Sequence, residues 1–267
     1  FNSAPDYETK SSYSVIVTVS DGTNSSTQTI TINITNVNDN SPTITSGSSF
    51  SVSEGQTAIG TVTSMDVDGD TVSYSLSGTD SSSVSINLSS GVLAFNIAPD
   101  YETKSSYSAT VTASDGTNSS TQDITITITD VDDTAPTFNS GATFSGAENQ
   151  TSIGTVTVTD TDTDDSSIVF SISGSELAIT SGGVLTFASP PDYETKTSYT
   201  ATVTASDGTN SATQNITVNV INVNDNTPSI TSSATFNAAE NQTSIGAVTA
   251  MDADGDTLSY LLSGTDV

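Results

Sequence analysis

The chain lacks cysteine, histidine, arginine and tryptophan, and among its 267 residues three lysines stand against 31 acids, a formal net charge of -28. Without cysteine there is no disulfide and no thiolate site. Without histidine or cysteine there is no candidate catalytic triad, and no enzyme is expected. So few cations make nucleic acid and anionic membranes poor partners, because both are held through basic side chains. No apolar run reaches membrane-spanning length, so direct membrane insertion is not expected. No signal peptide is recognisable, and the opening at Phe1 inside a repeat is what a segment of a longer protein would show. Acidic, Ser/Thr-rich chains are often disordered. Here Val, Ile and Tyr alternate with polar residues too regularly for that, and a folded chain is expected once its charge is neutralised.

What the chain has in plenty is repetition. Pro-Asp-Tyr-Glu-Thr-Lys begins at residues 5, 99 and 191, and Ser-Asp-Gly-Thr-Asn at 20, 114 and 206, so the copies lie 94 and then 92 residues apart. That period is too long for a solenoid unit and fits a whole sandwich domain. A third motif follows the same spacing: Asn36-Val37-Asn38-Asp39-Asn40-Ser41-Pro42, Asp130-Val131-Asp132-Asp133-Thr134-Ala135-Pro136 and Asn222-Val223-Asn224-Asp225-Asn226-Thr227-Pro228. Each follows an alternating run and ends in a proline that stops the strand and restricts the residue before it. These are taut joints between β domains.

The second copy shows the pattern within a repeat. Ser51–Glu54 and Ile59–Val62 read as opening strands, and Asp66-Val67-Asp68-Gly69-Asp70 as a turn. Val72, Tyr74 and Leu76 alternate with polar residues. Gly91–Phe95 is a short strand before the Asp-Tyr-Glu turn. Tyr107, Ala109, Val111 and Ala113 face one way, and Ile124, Ile126 and Ile128 line the last strand. About seven antiparallel strands and no helix make the expected fold all-β: tandem seven-stranded Greek-key β-sandwich domains, Ig-like, in a linear rod. The boundaries are a partial repeat of C-terminal strands at 1–40, full repeats at 41–134 and 135–226, and a partial repeat of N-terminal strands at 227–267. Aligned on the second copy, Val267 falls at Ser81 and Phe1 at Phe95, so the two ends are halves of a nearly complete domain. An array cut within two repeats explains this; subunits that complete each other's split domain are the alternative.

The acids recur at fixed positions in turns, where a solvated face would scatter them. Turns at one end of a sandwich lie close together, so acids from several turns can meet beside a joint, and carboxylates so crowded call for a cation. Oxygen donors without His or Cys favour Ca²⁺ over Mg²⁺, which tolerates irregular cages less well. Asp66–Asp70 is not an EF-hand loop, since position 6 is Thr71 and position 12 is Ser77. Asp100 and Glu102 as a hydrolytic pair are the weaker reading, because a structural cation site explains why the pair recurs in every copy. Tyr13, Tyr107 and Tyr199 read as core residues rather than a sugar platform. The sequons at Asn24 and Asn118 are expected by chance at this Ser/Thr content.

Taken in order, the early Glu (Glu148-Asn149), the Asp-x-Asp turn, the Asp-Tyr-Glu turn, Ala113-Ser114-Asp115 with Ala205-Ser206-Asp207, and the Asn-Asp-Asn-x-Pro joint resemble tandem cadherin repeats along the whole chain. The resemblance implies Ca²⁺ at the joints, roughly two to three ions for each complete one. Carried over, the middle joint takes Glu54, Asp100 and Glu102 from the repeat before, Asp132 and Asp133 from itself, and Asp160, Asp162 and Asp207 from the repeat after. The first joint has Asp6, Glu8, Asn38, Asp39, Asp66, Asp68 and Asp115. The third has Glu148, Asp192, Glu194, Asn224, Asp225, Asp252 and Asp254. Asp132 stands where the other joints have Asn, and Thr134 where they have a final Asn. With no Trp, the strand-exchange adhesion of vertebrate cadherins is not expected.

The function expected is a calcium-rigidified extender or adhesion segment of a large extracellular, cell-surface protein. Low Lys, no Cys and abundant Ser/Thr fit a bacterial surface protein better than an animal receptor. Its partners would be calcium, neighbouring repeats of the same or identical chains, and other cell-surface proteins or glycans. The alternatives are a filament subunit polymerising by split-domain complementation and a polysaccharide-binding module.

Overall fold

The computed structural model describes residues 1–163 and 167–264; Val267, the expected end of the last partial repeat, lies outside them. Two compact units divide the chain, Phe1–Val131 and Asp132–Val267. Among the described residues there is no α-helix, as the period-two alternation of apolar and polar residues dictates.

In the first unit, a hairpin of Ser12–Ser20 and Ser25–Asn33 precedes one complete sandwich. One sheet of that sandwich orders its strands as Ser49–Ser53, Ser119–Thr129, Ser106–Ser114 and Ser73–Ser77. The other orders Ala58–Thr61, Val92–Phe95 and Val84–Ile86. A two-residue pair, Thr43–Ile44 with Ser64–Met65, closes the start of the repeat. Val111 and Ile126 are fully excluded from water, and Leu93 and Phe95 bury the facing sheet against them. Ala109 lies opposite Ile124 and Tyr107 opposite Ile126, so the apolar alternations of the two long strands fall on one face.

The second unit repeats the design. Thr143–Ala147, Ser211–Ile221, Ser198–Ser206 and Val169–Ile172 form one sheet, and Ser152–Thr155, Val184–Phe187 and Leu177–Ile179 the other. Leu185, Val203 and Val218 are its fully buried centre. Beyond residue 227 the pairing among the described residues is Ser229–Ile230 with Ala250–Met251.

Two features differ from the sequence reading. The strands are not all antiparallel: Ser49–Ser53 runs parallel to Ser119–Thr129, and Thr143–Ala147 parallel to Ser211–Ile221. An early strand and the last strand that point the same way let a repeat be entered at one end and left at the other. The short strand Val84–Ile86 was also unforeseen; three residues are too few to show a period.

The tyrosines are packed as core-edge residues. Tyr107 meets Phe95 edge to face with ring centres 4.9 Å apart, and Lys104 lies 4.6 Å over its other side. Tyr199 is held likewise by Phe187 and Lys196. Lys104 also pairs with Asp80, and Lys196 with Glu176.

Candidate metal centre

Glu54 and Glu148 follow directly on the strands Ser49–Ser53 and Thr143–Ala147, at the end where the chain leaves each repeat. Glu54 is 5% exposed; its Oε1 accepts the Val131 N–H and its Oε2 the Tyr101 N–H, both at 2.7 Å. Glu148, 1% exposed, accepts from Val223 and Tyr193 in the same way, again both at 2.7 Å. A buried carboxylate needs such donors. Each glutamate thereby ties the Asp-Tyr-Glu turn to the first residues of the joint.

In that turn the aspartates cap their own backbone. Asp6 accepts from Glu8 N at 3.0 Å and Thr9 Oγ1 at 2.7 Å, and Asp192 from Glu194 N at 3.1 Å and Thr195 Oγ1 at 2.8 Å. Asp100 accepts from Thr103 N and Oγ1. The threonine hydroxyl is the largest influence holding each of the three carboxyls below the ordinary range. The turn's glutamate is left to reach the joint. Glu8 gathers with Asp39 and Asp68, Glu102 with Glu54 and Asp130, and Glu194 with Glu148, Asp225 and Asp254, each group's oxygens within 4.8 Å of one another. Burial and the charges of Glu148 and Asp254 push the Glu194 carboxyl above its ordinary value. The Glu8 carboxyl is lowered by its own N–H, yet burial, Asp6 and Asp68 together raise it.

The Asp-x-Asp turn receives the joint. Asp68 Oδ2 accepts the N–H groups of Asp39 and Asn40 at 3.2 and 2.8 Å, and its Oδ1 the Asn40 side-chain amide at 2.9 Å. Burial works to raise the Asp68 carboxyl, but those donors outweigh it and hold it low. Asp254 takes Asp225 N, Asn226 N and Asn226 Nδ2 in the same pattern. In the second unit Asp162 takes Asp133 N at 3.1 Å, Thr134 N at 2.7 Å and Thr134 Oγ1 at 2.6 Å. The hydroxyl of Thr134 thus does the work of the missing Asn amide. The first acid of the turn braces the second: Asp66, Asp160 and Asp252 accept the N–H of Asp68, Asp162 and Asp254 at 3.0 Å each. The joint residue Asn38 meets Asn118, Asp132 meets Asn210, and Asn224 belongs to the third joint with Asp225.

Asp115 and Asp207 cap the later turn with one oxygen each. Asp115 Oδ1 accepts from Thr117 and Asn118 N–H, both at 2.7 Å, and Asp207 Oδ1 from Thr209 and Asn210 at 2.7 and 2.6 Å. The second oxygens of both, with Oδ2 of Asp66, are buried and accept no hydrogen bond. A buried carboxylate oxygen without a donor is costly unless a cation meets it. All-oxygen donors, crowded carboxylates and buried open lone pairs fit a hard divalent cation.

Two acids that the sequence reading places in these motifs without assigning them as ligands join these groups: Asp70 lies with Asp66 and Asp68, and Asp130 with Glu54 and Glu102. Asp130 heads the joint motif itself, a signal that was available. For Asp70 the signal was its recurrence as Asp256 in the later copy.

Residues 48–129 and 142–224, more than half of the chain, match the family model of the cadherin domain. The chain belongs to the cadherin family. Among curated proteins it is 31% identical over 150 residues to cadherin EGF LAG seven-pass G-type receptor 1 of Homo sapiens and of Mus musculus, a match covering 51% of this chain and 5% of each relative's length. Among solved structures, protocadherin gammaB7 EC3-6, a cis-dimer, matches with a TM-score of 0.72 at 27% identity, covering 94% of this chain and 70% of that one. Protocadherin gamma B2 domains 3-6 match with a TM-score of 0.68 at 27% identity, covering 93% and 68%. Mouse cadherin-23 EC22-24 shares the fold, with a TM-score of 0.63 at 24% identity over 80% of this chain and 78% of that one.

Proposed function

We propose that the chain is a calcium-rigidified extender or adhesion segment of an extracellular surface protein. On this reading full repeats span 41–134 and 135–226, partial ones span 1–40 and 227–267, and Ca²⁺ at the joints fixes the orientation of consecutive repeats. Two observations support it: the buried Oδ2 atoms of Asp66, Asp115 and Asp207 accept no hydrogen bond, and the early, turn and joint acids form groups whose oxygens lie within 4.8 Å of one another. Asp6, Glu8, Asn38, Asp39, Asp66, Asp68 and Asp115 would hold the cation at the first joint, and Glu148, Asp192, Glu194, Asn224, Asp225, Asp252 and Asp254 at the third. Glu54, Asp100, Glu102, Asp132, Asp133, Asp160, Asp162 and Asp207 are assigned to the middle one. Bound calcium supplies positive charge that like-charged carboxylates cannot give one another, at roughly two to three ions per complete joint. Because ligands come from two repeats, binding energy becomes orientation energy, and folding of each repeat is stabilised with it. Partners at the cell surface, whether other proteins, glycans or neighbouring chains, follow from the same reading.

The test is metal content after equilibrium dialysis, together with melting in calcium and in EDTA. Bound calcium and a higher melting temperature are expected; no bound metal and identical melts would overturn the proposal.

A second reading is favoured by the hairpin Ser12–Ser20 with Ser25–Asn33, whose Val15, Val17, Val19 and Ile30 are exposed, whereas their counterparts Ala109, Val111, Ala113 and Ile124 are buried. Strands of another repeat, from a longer chain or a second copy, would cover that face. Solution mass at two concentrations separates the two sources: rising mass supports complementation between copies, and constant monomer mass opposes it.

A further inference from the structure

The motif Ser-Asp-Gly-Thr-Asn ends in an asparagine that the calcium reading leaves unused. Asn118 donates its side-chain amide to Asn38 Oδ1 at 2.8 Å and to the Asn40 carbonyl at 3.3 Å. Asn210 donates to Oδ1 and the carbonyl of Asp132 at 3.1 and 3.2 Å. These contacts bridge 78 to 80 residues of sequence. The same asparagines fix the acid of their own turn through the backbone, since Asn118 N donates to Asp115 Oδ1 and Asn210 N to Asp207 Oδ1. One residue therefore bonds both to joint oxygens and to the acid whose other oxygen stays open.

We infer that Asn118 and Asn210 are positioning residues: each fastens the joint to the repeat that follows and aims joint oxygens at the cation before it binds. The inference rests on the calcium reading above. Two acceptors must be met at once, and among the side chains this sequence uses in turns the asparagine amide offers two uncharged donors where a hydroxyl offers one. An amide oxygen and a carbonyl oxygen each carry two lone pairs, so one accepted N–H leaves the other free for a metal. A carboxylate in place of Asn118 would face two acceptors with a third. A lysine would put its own charge where the metal's belongs. The asparagine supplies donors without charge, and a ligand set already in place binds without the entropy loss of ordering it. The downstream half of the joint is otherwise held by Asp39 and Asn40 N–H to Asp68, and by Ser120 Oγ to the Pro42 carbonyl. Upstream of these, Asn36 Nδ2 reaches the Asp68 carbonyl at 2.7 Å, and Asn118 is the contact that reaches Asn38.

The test uses the full chain, ¹⁵N-labelled, with Asn118→Ala and Asn118→Asp. In EDTA the amides of Asp39 and Asn40, which do not bond to Asn118, should exchange about tenfold faster in both variants. Amides of Thr125 and Ile128, bonded to Ser48 and Ser105 carbonyls, should keep wild-type protection and show that the repeat is folded. On titration with calcium chloride, the Asn40 resonance of Asn118→Ala should report about three- to tenfold weaker binding, while Asn226 at the third joint is unchanged. Unaltered exchange at Asp39 and Asn40, or unaltered or tighter calcium binding there, would overturn the inference. A wild type that takes up no calcium overturns the proposed function instead, and the exchange arm then decides alone whether Asn118 fastens the joint.

Discussion

Glu54 and Val131 are 77 positions apart and meet at 2.7 Å, the buried carboxylate accepting the Val131 N–H just where the chain leaves the sandwich. Glu148 and Val223 repeat the contact across 75 positions. The anchor for the middle and third joints is thus inside the repeat before each, in a residue with almost no access to water. On the calcium reading, anchoring and metal binding would share one carboxylate.

Glu148→Ala tests the anchor. It strands the N–H groups of Tyr193 and Val223, and a stranded buried donor costs about 1–3 kcal/mol. A shift of about 4–8 °C per kcal/mol in a domain of this size makes the expected drop on the order of 10 °C in calorimetry, even in EDTA. Wild-type melting in EDTA would show that the glutamate serves the metal alone.

Asp115→Asn separates the turn from the metal. The asparagine Oδ1 can keep the N–H groups of Thr117 and Asn118, while an NH₂ replaces the donorless Oδ2. In EDTA the variant should melt only slightly below wild type, because the Asn118 and Thr117 N–H groups that hold the Asp115 carboxyl low then meet a neutral oxygen, and in calcium the deficit should widen. Calcium should bind on the order of tenfold more weakly. Equal destabilisation in both conditions would contradict the assignment.

How far the sequence spoke varied with the range of the interaction. Alternation in Tyr107–Ala113 and Ile124–Ile128 was a local property, and both faces packed as it required. The early Glu, the Asp-x-Asp turn and the joint could be read because repetition at a fixed spacing singles out residues that a lone copy would hide. The parallel seating of Ser49–Ser53 on Ser119–Thr129 could not, since it joins strands some 70 residues apart with no local trace. Nor could the part played by Asn118. An Asn closing an Asp-Gly-Thr-Asn turn satisfies that turn through its backbone, and what its side chain reaches depends on where the joint folds back. Which oxygen of Asp115 stays open is likewise a matter of which one the turn takes.

Acid should act through Asp80 as well. Its carboxyl is held below the ordinary value of 3.8, first by the Lys104 ammonium and then by the Ser108 N–H. A carboxyl lowered on folding adds stability above that ordinary value and loses it as pH falls through the lowered one. Asp80→Asn should therefore melt below wild type near neutrality, and the gap should close as pH drops below 3.8. A gap that stays constant with pH would show that the ion pair is not its source. The effect should be modest, as Lys104 is partly in solvent.

Small-angle X-ray scattering of the whole chain, in EDTA and then in saturating calcium, addresses the joints most directly. If shared calcium fixes consecutive repeats, the maximum dimension should lengthen on adding calcium and the profile should be fitted by one conformation in place of many. Superimposable profiles in the two buffers, with calcium shown to be bound, would contradict it.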